Sequence, residues 1–129
     1  MKELRILLIE DDNDDIELIQ DALHDNQVSN SMHVIRDGGN VSGYLQNARE
    51  VPDIIVMDFN LPKVHGRDIL KNIWRTELFK NIPIVILTTS SSQTDIDYSY
   101  KEGASKYLIK PNTTEGFTAV VKTIQELAV

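Results

Sequence analysis

The stretch DIIVMDFNLP, Asp53 to Pro62, decides the fold. Ile54–Met57 is a run of four apolar residues with no polar alternation, the pattern of a parallel strand covered on both faces. A carboxylate, Asp58, follows it directly. Placed at the end of a buried strand, that charge needs a compensating partner, so the stretch raises a structural question and a chemical one together.

Working outward, four more apolar runs punctuate the chain: Leu4–Ile9, 32–35, 82–87 and 107–109. Most are rich in Ile, Val and Leu. The run 32–35 is shorter and mixed, which suits a sheet edge. Helical stripes lie between them. Ile16, Ile19 and Leu23 follow an Asn/Asp-rich start that offers capping side chains. Val41, Tyr44, Leu45 and Ala48 make a second stripe, and Ile69, Leu70, Ile73 and Trp74 a third, in which Trp74 is expected to pack in the core. Ile96 and Tyr100 mark a weak fourth; Phe117, Val120, Val121, Ile124 and Leu127 make a strong fifth. Strand and helix thus alternate five times. Right-handed crossovers then give an α/β fold, a doubly wound parallel sheet with helices on both faces. The 129 residues suit one domain spanning 1–129, and no linker, repeat or low-complexity tract divides it.

Composition removes several function classes. The net charge of −7 and the scatter of Lys and Arg argue against a nucleic-acid partner. The absence of cysteine excludes disulfides, thiolate metal sites and cysteine catalysis. The apolar runs are too short to span a bilayer, so no membrane association is expected. Glu3 and Glu10 interrupt the N-terminal region where a signal-peptide core would lie, which makes a cytoplasmic location the expectation.

Ligands of open parallel sheets bind beyond the carboxyl ends of the strands. Those ends carry Glu10-Asp11-Asp12, Asp58-Phe59-Asn60, Thr88-Thr89-Ser90 and Lys110-Pro111. If the four strands concerned are neighbours, these groups share one rim. Carboxylates held together repel unless a cation intervenes, and an all-oxygen set suits Mg²⁺. Asp58 is then a candidate nucleophile towards phosphorus, with Lys110 and Thr88 as electrostatic partners for phosphoryl oxygens. Each residue alone has a plainer reading. Glu10-Asp11-Asp12 or Asp58 can cap a helix, Asn60-Leu61-Pro62 can be a simple turn, Thr88 a strand former and Lys110 a solvated lysine. The set, one member at each strand end, favours a site. Asp14, Asp15 and Glu17 read as a solvated face with first-turn charges. His24, His33 and His65 are not at ligand spacing and read as surface or helix-end residues.

The same residues carry a family resemblance that covers nearly the whole chain. Glu10-Asp11, Asp58, Pro62, Gly66, Thr88 and Lys110-Pro111 stand where a response-regulator receiver domain, the family of the chemotaxis regulator CheY, has its motifs. The resemblance implies a flavodoxin-like sheet of strand order 2-1-3-4-5. It implies that Asp58 accepts a phosphoryl group from a phosphohistidine on a sensor histidine kinase. Mg²⁺ would be bound by Asp11, Asp58 and the Asn60 backbone carbonyl, and by Glu10 through water. Lys110 would hold the phosphoryl group, and the Lys110–Pro111 peptide would be cis. Thr88 and Tyr107 would form the switch that links phosphorylation to the face of the fourth helix, fifth strand and fifth helix. Asp12, one place beyond the acidic pair, would cap the first helix. The phrases DFNLPKVHGRDIL, IPIVILTTS and SYKEGASKYLIKP are similar to single-domain regulators paired with bacterial phytochromes and hybrid kinases.

The chain departs from the common pattern at His65, Thr89 and Asn112, which bears on access to the site and on phosphoryl lifetime. Asn60 and Ser90 occupy positions that tune hydrolysis in the family. The expected partners are a sensor histidine kinase, a downstream protein and a second copy of the chain. The expected function is a switch without an attached output domain, and not an enzyme beyond its own phosphorylation and dephosphorylation. Two alternatives stand beside it. A phosphorylation-independent adaptor would be expected to have lost one of the acidic-site groups. A hydrolase acting on outside phosphoesters resembles Asp-x-Asp after the strand, where this chain has Asp58-Phe59-Asn60.

Overall fold

The computed structural model describes residues 3–128. The elements run β1 (Leu4–Ile9), α1 (Asn13–Asp25), β2 (Asn30–Ile35), a 3-10 turn (Gly38–Asn40) leading into α2 (Val41–Asn47), β3 (Ile54–Met57), α3 (Gly66–Arg75), β4 (Ile84–Thr88), α4 (Gln93–Lys101), β5 (Lys106–Ile109) and α5 (Thr114–Leu127). All strand pairs are parallel and the order is β2-β1-β3-β4-β5, as the resemblance implies. The mixed strand β2 lies at an edge. Among the described residues no helix is long and apolar enough to cross a membrane.

The continuous apolar runs are divided by the strand period of two. Leu7, Ile9, Ile55, Met57, Ile84 and Ile86 face one layer, which they share with Val41 and Leu45 of α2 and with Ile69, Leu70 and Ile73 of α3. Ile6, Leu8, Ile54, Val56, Val85 and Leu87 face the other, against Ile16, Ile19 and Leu23 of α1 and Phe117, Val120, Val121 and Ile124 of α5. No polar residue intervenes in Ile54–Met57 because both faces of β3 are covered.

Four details differ from the sequence expectations or sharpen them. β4 begins at Ile84, two residues later than the apolar run, because Pro83 has no N–H for the ladder. Trp74 is 47% exposed and not a core residue. Its ring lies over Gly103, where an added Cβ would sit 2.5 Å from Trp74 Cε3. Gly103 also has φ +98°, a conformation that side chains disfavour. Asp12 caps α1, its carboxylate accepting from Asp14 N–H at 2.8 Å, and His65 caps α3 by accepting from Arg67 N–H at 3.0 Å. Finally, α4 buries little apolar surface, since Ser99 is its one fully buried residue.

Candidate functional site

Backbone hydrogen bonds carry the sheet ladder one residue past the strands at the carboxyl rim. Glu10 N–H donates to Ile35 O at 3.0 Å, Asp58 N–H to Ile9 O at 3.0 Å and Lys110 N–H to Thr88 O at 2.8 Å. Three candidate site side chains are therefore mounted on backbone that the sheet itself holds. Gly66 shapes the loop behind them. An added Cβ there would lie 2.4 Å from Phe59 Cα, and Gly66 N–H donates to Phe59 O at 3.0 Å. Only glycine lets the start of α3 approach the residue after Asp58 this closely.

Lys110 is the hub. Its Nζ lies 2.8 Å from Glu10 Oε1, 2.7 Å from Asp15 Oδ2 and 2.8 Å from Asp58 Oδ2. The Lys110, Glu10 and Asp58 side chains are 10%, 2% and 5% exposed. The second Asp58 oxygen accepts from Asn60 N–H at 3.0 Å. The second Glu10 oxygen accepts from Asp11 N–H at 3.1 Å and Asp12 N–H at 3.2 Å.

Burial pushes the Glu10 carboxyl up to about 7; the Lys110 hydrogen bond opposes this, and the Asp58 charge adds to it. For Lys110, burial acts to lower the pKa, but the hydrogen bonds to Asp15, Asp58 and Glu10 outweigh it and hold the group above the ordinary lysine value.

One carboxylate oxygen from each of Glu10, Asp11 and Asp58 lies within 4.8 Å of the others, with Glu10 and Asp58 buried and Asp11 exposed. These are hard oxygen donors, and the set fits a divalent cation of the Mg²⁺ type.

Thr88 is fully buried, and its Oγ1 accepts from Asn60 Nδ2 at 3.3 Å. Tyr107 is half-buried; its hydroxyl donates to Ser90 O at 2.8 Å, and its ring meets Phe59 edge-on at 6.2 Å. Burial raises the Tyr107 pKa above the ordinary tyrosine value. The structure thus gathers Glu10, Asp11, Asp58, Asn60, Thr88 and Lys110 at one rim, with the Tyr107 ring against Phe59, the residue after Asp58.

The structure corrects the expected geometry of the Lys110–Pro111 bond. The Lys110–Pro111 peptide is trans, and among the described residues no peptide is cis. Trans is the lower-energy form of an X–Pro bond by about 0.5–1 kcal/mol, and Lys110 reaches all three carboxylates from it.

Two features escaped the sequence reading. Asp15 is not part of a solvated face; it binds Lys110. A second network ties the loop after β4 to α3 and α4. Asp95 accepts from Arg67 Nη2 at 2.7 Å and from Ser90 Oγ at 2.7 Å, and the Arg67 guanidinium holds the Asp95 carboxyl below its usual range. Arg67 also lies 5.1 Å from the centre of the Tyr98 ring.

A parallel sheet of this order, with a buried aspartate between an acidic pair and a lysine at its carboxyl rim, defines a receiver-like class of α/β domain. The comparison with known proteins agrees. A family model described as "Response regulator receiver domain" matches residues 6–122, and the chain belongs to that family of two-component systems. The chain is similar to response regulator Rcp1 of Synechocystis sp., with 34% identity over 93% of this chain and 85% of that protein. It is also similar to the probable methanogenesis regulatory protein FilR2 of Methanothrix harundinacea, with 36% identity over 94% and 81%. Among solved structures, the phosphorylated cyanobacterial phytochrome response regulator RcpA superposes with a TM-score of 0.87 at 35% identity, covering 97% of this chain and 93% of that one. The Mn²⁺-bound form of Rcp1 gives 0.84 at 32% identity, covering 95% and 92%. The chain is thus a receiver domain related to the phytochrome response regulators.

Proposed function

We propose that the protein is a phosphorylation-dependent switch in which Asp58 accepts a phosphoryl group from a phosphohistidine of a sensor histidine kinase. The observation that carries this reading is the contact of Lys110 Nζ with Asp58 Oδ2 at 2.8 Å, beside the Glu10–Asp11 pair. An Asp58 oxygen forms the new O–P bond, the P–N bond to the imidazole breaks, and its electron pair stays on that nitrogen. Lys110 orients Asp58 and then stabilises charge on the phosphoryl oxygens. Asn60 N–H fixes the other carboxylate oxygen.

Mg²⁺ would be held by Asp11, Asp58 and the Asn60 carbonyl, with Glu10 acting through water; when bound, it neutralises charge on the transferring group. The Mn²⁺-bound Rcp1 structure, at 32% identity, supports binding of a divalent cation by this chain.

The output would follow from Thr88. Its hydroxyl turns towards a phosphoryl oxygen and gives up Asn60 Nδ2, and the loop that carries Ser90 moves with it. Tyr107 is bonded to Ser90 O, so it passes this shift to the face of α4, β5 and α5. Tyr100 and Ile109, 46% and 48% exposed, lie on that face and suit a protein partner or a second copy of the chain. The similarity to a cyanobacterial phytochrome response regulator supports a kinase of the phytochrome-like class.

Incubation with acetyl phosphate and Mg²⁺, read by intact mass, tests this. Wild type gains one phosphoryl group and Asp58→Asn gains none. A wild type that stays unlabelled while a control receiver labels would favour a phosphorylation-independent adaptor. Sustained turnover of an external phosphoester would favour a hydrolase.

A further inference from the structure

Lys110 has three ammonium N–H groups and three carboxylate partners at contact distance, one N–H for each. Two of these partners have other duties. Asp58 is the proposed acceptor, and Glu10 belongs to the acidic trio with Asp11. Asp15 does not belong to that trio. Its Oδ2 meets Lys110 at 2.7 Å, across 95 residues of chain, and joins the first turn of α1 to the loop after β5. The Asp12 cap fixes this turn, because the Asp12 carboxylate also accepts from Asp15 N–H at 3.3 Å. The Asp15 side chain is 22% exposed, so water does not fully screen the contact.

Phosphorylation of Asp58 would change the demands on Lys110. Charge leaves the carboxylate and gathers on the phosphoryl oxygens. The lysine must pass one N–H from Asp58 to those oxygens, and a flexible four-carbon stem needs fixed partners to do so in place. We propose that Asp15 is a positioning residue of the phosphoryl transfer: it anchors Lys110 Nζ at the rim while one N–H passes from Asp58 to the incoming phosphoryl group. This rests on the reading of Asp58 as the phosphoacceptor. Asp15 is itself negative and repels a phosphoryl group, so the two possible roles predict opposite signs on its removal.

The test is the initial rate of labelling by acetyl phosphate in saturating Mg²⁺, followed by intact mass. Asp15→Ala lowers the rate about tenfold, the factor carried by loss of one charge-assisted hydrogen bond. Asp15→Asn keeps an acceptor for Lys110 and holds the rate within about threefold of wild type, a smaller loss because the neutral amide accepts more weakly. Asp15→Ser, too short to reach, matches Asp15→Ala and guards against a folding defect peculiar to one variant. In a Lys110→Ala background, Asp15→Ala produces no further loss, as a residue acting through Lys110 requires. Equal rates for wild type and Asp15→Ala, a rate increase in Asp15→Ala, or a full additive loss in the Lys110→Ala background would overturn the inference while leaving Asp58 as acceptor. An unlabelled wild type would overturn both readings.

Discussion

Lys110→Met removes the one cation that three carboxylates share, and its cost follows from the geometry. The ammonium lies 2.7–2.8 Å from Glu10, Asp15 and Asp58, two of them 2% and 5% exposed. Breaking a buried ion pair by removing one partner costs about 3–5 kcal/mol. The loss depends on pH through Glu10, whose folded pKa is about 7 against an ordinary 4.5.

A carboxyl group raised in the folded state lends stability that is fully present below the unfolded pKa and lost as pH rises through the folded one. In the metal-free wild type this makes stability fall between pH 4.5 and about 7, by roughly 3 kcal/mol. The Lys110 hydrogen bond opposes that rise, so Lys110→Met pushes the Glu10 pKa higher still. At pH 5 Glu10 is protonated in both folded proteins, and only the contacts with Asp58 and Asp15 are missed. At pH 8 the ionised or newly protonated Glu10 adds its full penalty.

Urea denaturation in EDTA at the two pH values measures this. The expected loss is about 3 kcal/mol or more at pH 8 and roughly half that at pH 5. An equal loss at both, or a larger one at pH 5, would refute the reasoning.

The other predictions are simpler. Gly66→Ala drives a Cβ into the Phe59 backbone at 2.4 Å, so urea unfolding should show a loss of about 1–3 kcal/mol and mass labelling should slow. Tyr107→Phe removes the hydrogen bond to Ser90 O, costing about 1 kcal/mol; hydrogen exchange should rise at residues 88–90 while Asp58 labelling stays within twofold. Asp95→Ala frees both Arg67 and Ser90; it should loosen α4 selectively, seen as faster amide exchange in residues 93–101 with little change in α1 or α5.

Much of this architecture is legible in the sequence because burial on two faces leaves a mark. Ile54–Met57 has no polar residue, since each side chain meets one core layer or the other. The acidic pair, Asp58, Thr88 and Lys110 stand out because each directly follows or ends such a run. What stayed hidden depends on rotation and distance. Trp74 adjoins Ile73, but one helical step of about 100° carries it from the core to the surface, over a glycine 29 positions away. Asp15 sits among Asp14 and Glu17 with no local sign of its partner, which is 95 residues distant. The trans Lys110–Pro111 bond lies beyond the reach of composition, because the two isomers differ by only about 0.5–1 kcal/mol.

The most direct measurement is the chemical location of the label. Borohydride reduces an aspartyl phosphate to homoserine, and peptide mass mapping then reads its position. Homoserine is expected at residue 58 alone, in protein labelled with Mg²⁺ present, and none in protein labelled in EDTA. Homoserine at Asp11 or another carboxylate, or phosphate retained on a side chain that borohydride does not reduce, would contradict it.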